Sequence, residues 1–137
     1  MRAEDDKVSE RAFGPVSQSL ERLSEIAGDP SVLIYDRLFE QHPEYRELFV
    51  FDTNGDVRGE MLSQAFDVLL RTDQGDKSAD VLMRANRFAH DGYGVSEDAF
   101  NSFFEIIQQV TKDQLGDAWS PEMGEGWQTI LDQLTGA

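Results

Sequence analysis

The chain has two histidines, His42 and His90, and no cysteine. A neutral imidazole is a good ligand for iron. His90 stands near the end of a predicted helix, just before a glycine-rich break at Gly92 and Gly94. The same position suits a purely structural histidine, because a cation at a helix C-terminus meets the negative end of the dipole. His42 precedes Pro43 in a polar stretch and reads as exposed or as a local hydrogen-bonder. Without cysteine there is no disulfide, no thiolate metal site and no cysteine nucleophile. Neither G-x-S-x-G nor H-E-x-x-H occurs. Most carboxylates fall on predicted solvated helix faces, so no acid–base pair stands out.

One acidic segment invites a metal reading. Asp52-Thr53-Asn54-Gly55-Asp56 opens like a calcium loop, with oxygen ligands at alternate positions. Such a loop next needs glycine, where this chain has Val57, and it ends on a bidentate glutamate, where this chain has Ser63. Two defining requirements fail, and the segment reads as an acidic turn. Phe100, Phe103 and Phe104, with Trp119 and Trp127, make either a core or a bed for a flat apolar cofactor, which would want the same surface.

These residues have to be positioned by helices. Val16, Leu20, Leu23 and Ala27 recur at steps of three and four, with Pro15 in the first turn and Gly28 at the end. Asp29-Pro30 predicts a capped start for a helix carrying Leu33, Ile34, Tyr35, Leu38 and Phe39, and Pro43 stops that helix or opens a short new one. Leu62, Ala65, Phe66, Leu69 and Leu70 predict a helix from Val57 to about Arg71. A more polar helix over about 78–91 turns Leu82, Ala85, Phe88 and Ala89 inward. Ser96 predicts a cap for the stripe Phe100, Phe103, Phe104, Ile107 and Val110, which Gly116 ends. Ser120-Pro121-Glu122 starts a last helix with Met123, Trp127, Ile130, Leu131 and Leu134 inward. No segment alternates as a strand does. The expectation is an all-α fold of about seven helices, with a flexible segment over 1–12 and one domain over 13–137.

The 137 residues suffice for one domain with its own core. Twenty-seven acidic against 12 basic residues give a net charge of -15, which disfavours nucleic acid and anionic membrane surfaces as partners. Neither a signal peptide nor a membrane-spanning stretch is read, so the expected location is the cytoplasm.

Three segments, in order, resemble bacterial single-domain globins. LIYDRLFEQHPEYRELF resembles their second and third helices, FAHDGYGVSEDAF their proximal-histidine segment, and LGDAWSPEMGEGW the start of their last helix. The likeness runs from about residue 15 to the end. It implies a three-over-three globin fold holding haem b, with His90 as the proximal iron ligand and Phe49, Leu62, Val95 and Phe103 around the porphyrin. Tyr35 would match the distal tyrosine, whose hydroxyl donates to bound dioxygen. Arg58 would fall where many globins have histidine or glutamine, either reaching the ligand or staying on the surface. A three-residue slip would put Met61 there instead. Gly59 would let two helices cross closely, and Arg87 would pair with a haem propionate.

The sequence also departs from the flavin-linked members of that family. It leaves no room for a reductase domain, has Phe100 where they have tyrosine, and ends before their late glutamate. The implied function is reversible binding of dioxygen, nitric oxide or carbon monoxide, as a monomer or homodimer, any turnover drawing on a separate reductase. The alternatives are a globin-fold sensor or regulator that has lost haem or uses it as a signal, and a calcium-responsive helical protein. Calorimetric titration with calcium is expected to give no heat, because the loop lacks its glycine and its closing glutamate.

Overall fold

The computed structural model describes residues 14–50, 52–80 and 97–135. No described residue lies in a strand. Among the described residues the helices are α1 (Pro15–Ala27), α2 (Ser31–Gln41), α3 (Asp56–Asp73), α4 (Glu97–Leu115) and α5 (Pro121–Thr135), with 3-10 segments at Pro43–Phe49 and Gly116–Ala118. The all-α expectation is met. The segment over 1–12 and the helix expected over 78–91, beyond its start at 78–80, lie outside the described residues.

The helix ends follow from local chemistry. Gly28, at φ 65°, takes the left-handed turn that closes α1 and donates its amide to Ser24 at 2.9 Å. Asp29 Oδ1 accepts the Ser31 amide at 3.0 Å and its hydroxyl at 2.6 Å, opening α2. Pro43 has no amide proton to continue α2, and the chain tightens into the 3-10 segment. Ser120 Oγ accepts the Met123 amide at 3.2 Å, which caps α5 where the Ser-Pro-Glu triplet predicts it. The start of α1 is capped from elsewhere in the chain. Asp73, the last residue of α3, accepts the Ser17 amide at 2.7 Å.

Packing follows the apolar stripes. α1 lies against α3, α4 and α5, while α4 also packs on α2 and α5. Val16, Leu20, Leu23, Ile34, Leu38, Phe104, Ile107, Val110, Trp127 and Leu131 share one core. Trp127, fully buried, donates its indole N–H to Ser19 Oγ at 2.8 Å, and Ser19 donates in turn to the Val16 carbonyl at 2.7 Å. A buried indole needs such a partner, so a serine inside α1 is there for a tryptophan in α5.

Some expectations need correcting. Leu33 is 39% exposed. The buried positions of α2 are Ile34, Tyr35, Leu38 and Phe39, a stripe whose centre turns Leu33 toward its edge. Val68 and Ile106 are core residues that the periodicity did not single out. Gly59 is exposed, and a Cβ there would meet no described atom within 4 Å. The close crossing is at Gly126, where a Cβ would stand 3.2 Å from Pro15 Cβ and 3.6 Å from Val16 Cγ2. Ser19→Ala is expected to destabilise the fold by about 1–3 kcal/mol, the cost of stranding the Trp127 N–H. Adding Trp127→Phe should cost less than the two single effects summed, as read from urea midpoints.

Candidate functional site

Tyr35 is the centre of an aromatic cluster built from three elements. It lies in the middle of α2, 4% exposed. Its ring meets Phe49, at the end of the 3-10 segment, edge-on with centroids 5.6 Å apart. Phe103 of α4 tilts against it, also at 5.6 Å, and Phe39 stands one turn along α2 at 6.0 Å. Phe39 and Phe49 meet edge-on at 5.8 Å, and the Arg46 guanidinium lies over Phe39 at 5.1 Å. These are favourable geometries for aromatic pairs and for a cation on a ring face. The Pro43 bend swings Phe49 back onto α2. Leu62, one turn beyond Arg58 in α3, is buried in the same core. Met61 is half-buried.

The Tyr35 hydroxyl donates to the main-chain carbonyl of Arg58 at 2.8 Å. Arg58 is itself held by Asp52. The Asp52 carboxylate accepts the Val57 amide at 3.1 Å, the Arg58 amide at 3.0 Å and Arg58 Nε at 3.0 Å. Arg58 Nη2 adds a longer bond to the Asp52 carbonyl at 3.3 Å. The segment read as an acidic turn is therefore the cap of α3. Asn54 Oδ1 accepts the Asp56 amide, and Gly55 takes φ 81°, which glycine adopts without strain. Asp52 is the residue the sequence reading missed. An aspartate and an asparagine ahead of an apolar helix are a capping signal, which the calcium-loop resemblance obscured.

The environment sets two proton affinities. Burial works against ionisation of Asp52, but the amides of Arg58 and Val57 and the Arg58 guanidinium outweigh it and hold its carboxyl below the usual range. A depressed carboxylate stabilises the fold above its ordinary pKa, and that contribution fades as pH falls through its folded value. Burial pushes the Tyr35 phenol above its ordinary value; the nearby Arg58 charge opposes this and Asp52 adds to it. Tyr35 is thus a protonated donor through the physiological range.

The structure brings Tyr35, Phe49, Leu62 and Phe103 into one core and ties Arg58, one-third exposed at its side chain, to the buried Asp52 carboxylate. His90, Arg87 and Val95 lie outside the described residues. His42 is engaged locally, stacked on Tyr45 at 4.8 Å and 3.7 Å from Glu44.

Comparison with known proteins decides what this cluster belongs to. The profile of the family described as Globin matches residues 32–137. The chain belongs to the globin family. Neuroglobin of Danio rerio is 26% identical over 144 residues, covering 96% of this globin and 91% of its own length. Anaerobic nitrite reductase NSHB5 of Oryza sativa subsp. indica is 30% identical over 105 residues, covering 74% and 72% of the two chains, and the japonica protein of the same name is 30% identical over 109. No solved structure matches at comparable significance.

Globins normally bind haem, so the described residues can be tested against that group. Among them, no cluster of three histidine, cysteine, aspartate or glutamate side chains could hold a metal ion, and His42 is committed elsewhere. They supply instead an aromatic and aliphatic surface with one protonated hydroxyl, which suits a flat apolar macrocycle. No helix among them is long and apolar enough to cross a membrane. In alkaline titration followed by phenolate absorbance, Tyr35 is expected to ionise late, above the ordinary tyrosine value. Tyr35→Phe should remove that late step. The fold loses the contribution of Tyr35 as pH rises above its ordinary value of about 10.

Proposed function

We propose that this globin holds one haem b through His90 and binds a diatomic gas, dioxygen first, on the side facing Tyr35. The observation that carries the reading is the buried Tyr35 ring set among Phe39, Phe49 and Phe103, with its hydroxyl at the first turn of α3. When bound, the haem would supply an iron able to take up the gas.

The protein's own groups do the rest. Phe49, Leu62 and Phe103 would pack against the haem and keep water from it. His90 would hold the iron, and Val95 is the apolar residue that the family resemblance assigns near it. The Tyr35 hydroxyl is the donor for a partly negative ligand. It has a single proton, so serving a ligand means giving up the Arg58 carbonyl. The net gain is the difference between two hydrogen bonds and is modest.

Haem propionates call for cations in this acidic chain. Arg87, three residues before His90 in the sequence, is the candidate for that role. Turnover of a bound gas, or of nitrite as the name of the rice relative suggests, draws electrons from a separate reductant.

The purified protein, supplied with haem, is expected to show a Soret band that His90→Ala abolishes. A helical circular-dichroism signal without a Soret band would instead support the haem-free regulatory reading. Tyr35→Phe is expected to speed dioxygen release by about tenfold or less, the scale of one hydrogen bond, in stopped-flow measurements.

A further inference from the structure

Asp52 is buried at its side chain, 3% exposed, and three of its four bonds on α3 end on one residue, Arg58. It grips that residue twice, by its amide and by its guanidinium. The carbonyl of the same residue takes the Tyr35 proton. The three groups form a chain from carboxylate to main chain to phenol, and the last link has one proton to give. While the carboxylate fixes the first turn of α3, that carbonyl stays 2.8 Å from the hydroxyl and competes with any other acceptor. The guanidinium is likewise kept on the side of Asp52.

We propose that Asp52 is a positioning residue that restrains ligand binding, by holding the Arg58 carbonyl as a rival acceptor for the Tyr35 hydroxyl. The inference rests on the gas-binding reading above. It assigns Asp52 a role beyond capping: it sets how much of the Tyr35 proton a bound gas receives. Loosening the clamp weakens the rival and frees the phenol for the ligand. Asp52 acts through Tyr35, so its influence disappears where the hydroxyl is absent. Replacing Arg58 by alanine leaves the two amides on Asp52 and the carbonyl in place, and so leaves the restraint largely intact.

The test uses the protein as purified and then loaded with haem. In Asp52→Ala, amide hydrogen exchange at Val57 and Arg58 is expected to quicken by at least about tenfold, since a lost cap loosens the first turn. Dioxygen release should slow by roughly three- to tenfold, the worth of one hydrogen bond. In the Tyr35→Phe background the same substitution should leave release unchanged. Asp52→Asn keeps the shape and one acceptor oxygen, and serves where alanine impairs folding; a smaller slowing in the same direction is expected.

Slower release that persists without the hydroxyl overturns the proposal, as does release that is unchanged or faster in both Asp52 variants. Unchanged exchange at Val57 and Arg58 overturns the clamp itself. A wild-type protein with no Soret band overturns the gas-binding reading and this inference with it. A Soret band with wild-type release rates in the variants overturns this inference alone.

Discussion

One hydrogen bond joins the second helix to the third: the phenol of Tyr35 to the main chain of Arg58. The 3-10 segment and the acidic turn between these helices fold back to allow it. Pro43 breaks the helix, Phe49 returns to the Tyr35 ring, and Asp52 catches the free amides of the next helix start. An unpaired phenol in that core would be costly. The bond therefore satisfies a buried polar group and fixes the aromatic cluster against the start of α3. Burial also keeps the group protonated, so a structural necessity leaves a proton donor inside an apolar core.

The electrostatics of the chain sharpen this. With a net charge of -15, cations are scarce. Arg37 reaches across from α2 to Asp113 on α4, and Arg71 serves both Asp67 and Asp76. Such exposed pairs contribute little individually to stability. Their effect is to distribute the few positive charges among the acids that would otherwise repel one another. Arg58 differs in that its partner carboxylate is buried and its own side chain is one-third exposed.

The helices were legible because their apolar residues recur with the helical period and their ends carry proline, glycine, serine and aspartate. Pro15, Gly28, Asp29, Gly116 and Ser120 sit at the boundaries that their chemistry implies. The aromatic wall was legible in part, through Tyr35, Phe49, Leu62 and Phe103. Relations between distant segments were not. Ser19 reads as a polar residue in an amphipathic helix until Trp127 is placed beside it, 108 positions away. Gly59 and Gly126 look alike in sequence, and only packing tells which one lies against another helix. Asp52 and Arg58 were each noticed, one as a failed calcium ligand and the other as a distal residue. Their pairing needed the path of the backbone between them. His90 carries the largest share of the functional reading, and it came from the order of motifs rather than from any local pattern.

Asp73 closes α3 and at the same time satisfies an amide at the start of α1, with the backbone of Gly14 so near that a methyl there would stand 2.5 Å from its carboxylate. One residue thus ends α3 with its backbone and caps α1 with its side chain. Fraying, which ordinarily begins independently at each helix end, is here shared. When the last turn of α3 opens, the first turn of α1 loses its acceptor too. The first turn of α1 should then come away with the end of α3 as one cooperative unit, rather than peel off alone.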